Sequence, residues 1–232
     1  MATNNSINFI SIASDSGSAT QATGTTTGYT FAGSGGVTTS ASGSTITIDG
    51  SGVGGGDWVL ISTATASSST SITFTNLSST YFAYKIIIDN LQPVTDGTNL
   101  WMRTSTNNGS SYDSSASDYS WAVHEDRANV TKFDDTDGNA GDSKILLHPE
   151  SDSMGNASNE IGAWEVILFN PSATNYTLVN YQGYYHSDGS SWYSVRGGGA
   201  RLSAADVDAI QFLMSSGNIS IGNFRLYGMV SA

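Results

Sequence analysis

"WVLISTATASSSTSITFTNLSSTYFAYKIIIDNLQPVTDGTNLWMRTSTNNGSSY", residues 58–112, decides how this chain folds. Ile72 and Phe74 alternate with Thr, and Tyr84, Ile86 and Ile88 recur at every second position. That repeat places apolar side chains on one face of a β-strand. "WVLIST" (58–63) reads as a buried strand, and "LWMRT" (100–104) follows a turn at Asp96-Gly97. Asn108-Gly109 tolerates positive φ at both central turn positions, the type I′ signature, so antiparallel strands are predicted on its two sides.

The same signals continue toward the C-terminus. Strands are predicted around 121–124, 145–147, 164–169, 176–185, 210–214 and 224–229, separated by Asn, Asp, Gly and Ser turns without intervening helical periodicity. One helical turn is expected in "LSAADVDAI" (202–210), with Ser203 as N-cap and Asp206 three positions on. In the closing stretch "SSGNISIGNFRLYG" (215–228), a strand would turn Phe224 and Leu226 to the core and Arg225 and Tyr227 outward. The pattern predicts an all-β protein, a jelly-roll-type antiparallel β-sandwich over residues 57–232.

Upstream, residues 13–56 are small and polar except for short groups such as Tyr29 and Phe31, Val37, and Ile46 with Ile48. "STITIDG" (44–50) alternates strictly and reads as a short strand, too thin to make a core alone. Residues 1–56 are therefore read as a small, extended β N-terminal arm for oligomerisation or attachment, with a Gly/Ser/Thr linker as the competing reading. "DGSGVGGGD" (49–57) marks the boundary, where glycine frees the backbone.

Composition narrows the function classes. The 232 residues suffice for a sizeable core. Charged residues are only 12% of the chain, and 20 Asp and Glu against 8 Lys and Arg give a net charge of -12. Such a field repels nucleic-acid phosphates and anionic membranes, so neither is expected as a partner. Five Trp, 11 Tyr and 8 Phe supply the apolar area that disordered chains lack. With no Cys, disulfides and Cys-ligated metals are excluded, leaving packing or oligomerisation to stabilise the fold. The N-terminus has neither a basic leader nor a continuous apolar stretch, so no secretory signal is expected, and no membrane-spanning run appears.

Residues with chemical potential are few. "FDDTDGNAGD" (133–142) offers Asp134, Asp135, Asp137, Asn139 and Asp142 as hard oxygen donors of the kind calcium prefers, but it lacks the EF-hand glycine and closing glutamate. A solvated hairpin is the competing reading. His124, Glu125 and Asp126 are consecutive and cannot all face one side of a strand. His186 and Asp188 share a face by parity but have no nucleophile elbow beside them. Glu160 and Glu165 could serve as a glycosidase pair only if held across one bond. Tyr112, Tyr119, Trp121, Tyr184, Tyr185, Trp192 and Tyr193, set among Ser and Asp, could present ring faces to a sugar or fill a core or subunit interface. No catalytic residues, cofactor or resident metal are expected.

Three stretches resemble virion surface proteins of tailed bacteriophages, both tail-fibre-like and head-decorating. They are "RLSAADVDAIQFLMSSGNISIGNFRLYGM" (201–229), residues 58–121, and "GSGGVTTSASGSTITI" (33–48). The resemblance implies a non-enzymatic β-sandwich on the particle exterior, assembled in the host cytoplasm, usually as a homotrimer in contact with other capsid or tail proteins. It carries no catalytic residues over to this chain. A receptor-binding tip module for host surface glycan is the alternative, and a glycan depolymerase a further one.

Overall fold

The structure, a computed structural model, describes residues 37–42, 45–49, 58–128 and 135–230. Two compact units divide at Gly54 and Gly55. In the first, β1 (Thr38–Ser42) and β2 (Thr45–Asp49) form an antiparallel pair with Ala41 opposite Ile46 and Thr39 opposite Ile48. Ile46 and Ile48 lie in a strand as predicted, yet they are 51% and 63% exposed. Tyr29, Phe31, most of the glycine stretch 49–57 and Asp134 lie outside the described residues.

The second unit is an antiparallel β-sandwich, and no helix occurs among the described residues. Its strands are β3 (Trp58–Ser69), β4 (Ile72–Thr75), β5 (Tyr81–Pro93), β6 (Leu100–Ser105), β7 (Tyr119–Arg127), β8 (Asp135–Asp142), β9 (Ile145–Leu146), β10 (Gly162–Phe169), β11 (Leu178–His186), β12 (Trp192–Arg201), β13 (Ala209–Met214) and β14 (Ile219–Val230). One sheet has eight strands in the order β3-β14-β5-β10-β11-β12-β7-β8, and the other has four in the order β4-β13-β6-β9. All-β class and antiparallel pairing agree with the sequence reading; the narrower jelly-roll label does not follow from this strand order.

The alternating residues build the core. Ile86, Ile88, Val166, Leu168, Phe224 and Leu226 of the large sheet are buried with Leu100, Met102, Ile210 and Phe212 of the small one. The Phe212 and Phe224 rings meet at 5.8 Å between centroids. Phe224 and Leu226 point inward as predicted, while Arg225 and Tyr227 occupy the other face. Each such burial stabilises by about 1.5–3 kcal/mol relative to exposure.

Two aromatic side chains explain why glycines interrupt these strands. Trp164 lies directly across from Gly183, and Tyr181 from Gly197. Each ring leans over its glycine and reaches the chain around β9, Trp164 Nε1 donating to Leu147 O at 3.1 Å and Tyr181 O–H to Leu146 O at 2.7 Å. A Cβ on Gly197 would stand 2.6 Å from the Ala122 carbonyl oxygen, and one on Gly183 would stand 2.5 Å from Trp164 Nε1. The missing side chains are the space the aromatics use.

Four local expectations are corrected. "WVLIST" forms a strand but is not buried: β3 is an edge strand, with Val59, Leu60 and Ile61 exposed at 43%, 51% and 41%. Asn108 and Gly109 do take φ of 55° and 80°, but β6 and β7 on either side lie in different sheets, so the turn ends a crossover and not a hairpin. Asn108 instead pins neighbouring turns, donating its N–H to Asp208 Oδ1 and accepting from Asn76 N. The helical turn at 202–210 does not form, because Val207 N and Asp208 N donate to Pro171 O and Ser105 O as the chain enters β13. The acidic stretch is a strand and not a loop: residues 135–142 are β8, paired antiparallel to β7 at the other edge of the large sheet and largely exposed, as the hairpin reading has it.

Candidate functional site

Strand parity divides the large sheet into a covered face and an open one. On β7, Trp121, Val123 and Glu125 point inward, so Ala122, His124 and Asp126 point out. On β11, Asn180, Gln182, Tyr184 and His186 share that open face, joined by Ser194 and Arg196 from β12 and Glu165 from β10. Register aligns His124, Arg196, Gln182, Glu165 and Ile87 in one row across five strands. The neighbouring row contains Asp126, Ser194, Tyr184 and Ala163. Two depressions of about 650 and 500 Å³ flank Gln182 and Arg196, which line both, so the face forms one shallow trough.

The trough is polar without being charged in any one direction. Arg196 donates to Asp126 Oδ2 at 2.9 Å, Lys85 sits 3.8 Å from Glu165, and Arg225 donates to Asp89, which also accepts from Asn223 Nδ2 at 2.7 Å. Hydrogen bonds from Asn223 and then Arg225 hold the Asp89 carboxyl below its ordinary range. Gln182 Nε2 donates to Glu165 Oε1 at 3.5 Å. At the end of the trough Tyr184 and Trp192 stack with ring centroids 5.3 Å apart and an interplanar angle of 7°. His186 meets Trp192 edge-on at 4.7 Å and lies 3.6 Å from the Glu160 carboxylate. Tyr184 is 47% exposed and Trp192 partly so.

The seven aromatics singled out in the sequence therefore separate. Tyr119, Trp121, Tyr185 and Tyr193 are buried, Tyr112 is half-buried, and only Tyr184 and Trp192 form a stack on the open face. Of the acidic-stretch candidates, Asp135, Asp137, Asn139 and Asp142 lie among the described residues, and the three aspartates are engaged in separate contacts. Asp135 accepts from Ser151 Oγ, Asp137 from the N–H groups of Gly138 and Glu150, and Asp142 from Trp121 Nε1 and Lys144 Nζ. Among the described residues no three His, Asp or Glu side chains converge closely enough to hold a metal ion. Glu160 accepts from Ala157 N beside His186, whereas Glu165 faces Lys85, so the two glutamates serve separate contacts.

A polar cluster that the sequence reading did not bring together lies inside the sandwich. Glu125 is fully buried, and burial, reinforced by the nearby Asp152 carboxylate, raises its carboxyl to about 8. The Tyr185 hydroxyl lies 2.6 Å from both Glu125 Oε2 and Asp152 O, yet it has one proton to give. A protonated Glu125 resolves the conflict: it donates to Tyr185, and Tyr185 donates to Asp152 O. Tyr193 O–H donates to Asp152 Oδ1 at 2.8 Å. Tyr185 also stacks on Trp164 and meets His148 at a tilt of 39°. His148 is likewise buried, and desolvation lowers it to about 4, so it is neutral. Its Nε2 accepts from Leu100 N, leaving Nδ1–H to donate to Pro149 O. Strand parity was the available signal for Glu125, since Trp121 and Val123, four and two residues earlier, are apolar.

Comparison with protein-family models, with curated proteins and with solved structures gave no match.

Proposed function

We propose that this chain is a non-enzymatic structural protein on the exterior of a tailed-bacteriophage virion, a capsid decoration or a fibre or tail-appendage component that works as a homo-oligomer. The observation that carries the reading is the outer edge of β3, which no other strand among the described residues covers. It is a 12-residue strand at the end of the large sheet, and Val59, Leu60 and Ile61 are exposed on it in succession. A long apolar edge is a template for pairing with another chain, and proteins that work alone blunt such edges with charge, proline or cover. The β1–β2 pair supports the same reading, because a two-stranded ribbon with both isoleucines in water is marginal by itself.

The phage resemblance of 33–48, 58–121 and 201–229 supplies the setting and the trimer as the expected assembly, with other capsid or tail proteins as further partners. Immunogold electron microscopy of phage particles from the source lysate, with antibody against the purified chain, tests it. Label over heads or tails is the expected result and separates decoration from appendage. Particles without label, whether intact or gently opened, would overturn the virion reading.

A further inference from the structure

We propose that the open face of the large sheet binds an uncharged polysaccharide, with the Tyr184–Trp192 stack as the platform for a sugar ring and Gln182 and Arg196 as its hydrogen-bonding partners. The inference is independent of the virion setting, because it stands on the geometry of one face.

Sugar rings present an apolar C–H face and a rim of hydroxyls, so a site for them combines an exposed aromatic plane with planar polar groups beside it. Here Trp192 is the braced member, held by Tyr184 on one hand and His186 on the other, while Tyr184 retains nearly half its surface in solvent. Ser194 lies directly opposite Tyr184 in register, and Gln182 and Arg196 face each other two residues further along the same strands, roughly 7 Å away at the strand repeat.

Charge selects among glycans. Arg196 is matched by Asp126, Lys85 by Glu165 and Arg225 by Asp89, so among the described residues the trough has no surplus cation to receive a sulfate or a sialic carboxylate. The chain as a whole carries -12 and repels such ligands at long range. An uncharged polyhydroxylated chain fits both facts.

Affinity electrophoresis of the full chain in native gels cast with dextran, laminarin, galactomannan or agarose, beside a carrageenan gel, tests the proposal. Retarded migration in at least one neutral gel is expected, with Tyr184→Ala weakening the apparent affinity at least tenfold and Gln182→Ala severalfold. Ile221→Ala, exposed on β14, should migrate as wild type does. Circular dichroism of each variant separates lost binding from lost fold, and Tyr184→Phe, which keeps the ring, should restore retardation. The proposal is overturned by a wild-type chain that no neutral gel retards, by retardation in carrageenan alone, or by a folded Tyr184→Ala that binds undiminished.

Discussion

Two buried groups, Glu125 and His148, pull the pH response of this sandwich in opposite directions. Glu125 titrates near 4.5 in an unfolded chain and near 8 in the fold, so between those values the folded state holds a proton that the unfolded state releases. Stability is fully present below about 4.5 and declines as pH rises toward 8. His148 acts oppositely: its value falls from 6.5 to about 4 on folding, so stability is lost as pH drops from 6.5 toward 4. The slopes oppose one another between 4.5 and 6.5, where the optimum is expected. Glu125→Gln keeps a donor toward Tyr185 but removes the ionisation. Urea unfolding across pH 4 to 9 should show the wild type losing several kcal/mol on the alkaline side and the variant staying nearly flat there. Equal alkaline slopes in the two proteins would place the proton elsewhere.

At the level of strands, legibility tracked the apolar side chains. β4, β5, β6, β10, β13 and β14 announce themselves through alternation, because one face must be dry. β12 passes unnoticed since "RGGG" (196–199) reads as a breaker, and its meaning lies across the sheet in the Tyr181 ring that fills the gap over Gly197. β8 has no apolar residue larger than Ala140 and is held by backbone pairing to β7. The aromatics at 184 and 192 were visible as residues, but only register brings them together on one face. Two outcomes belong here. Gly197→Ala should destabilise by about 2–3 kcal/mol in chemical denaturation, since the new methyl meets the Ala122 carbonyl of the next strand, which cannot rotate away. Leu60→Lys with Ile61→Lys on β3 should shift sedimentation from oligomer to monomer while leaving the circular dichroism unchanged.

For the whole molecule, stability resides in the unit from Gly55 to Ala232, which contains every buried apolar residue of the continuous core. A chain beginning at residue 55 should therefore unfold in one cooperative calorimetric transition within a few degrees of the full-length protein. A collapse of that transition would assign residues 1–54 a share of the fold's own energy. The exposed ion pairs Arg196–Asp126 and Arg225–Asp89 contribute little, so the salt response should follow the net charge of -12, and the melting temperature should rise by a small amount between low and physiological salt as self-repulsion is screened.

The last strand is also an inner one. β14 lies between β3 and β5, so the earliest strand of the domain pairs with one nearly 160 residues later in sequence. During translation, β3 and β5 emerge long before the strand that joins them, and each waits with an unpaired edge until β14 follows. Closing the large sheet is thus a late event of high contact order. A polypeptide cut short before β14 is left with an open seam through its centre, a product exposed to proteolysis and aggregation.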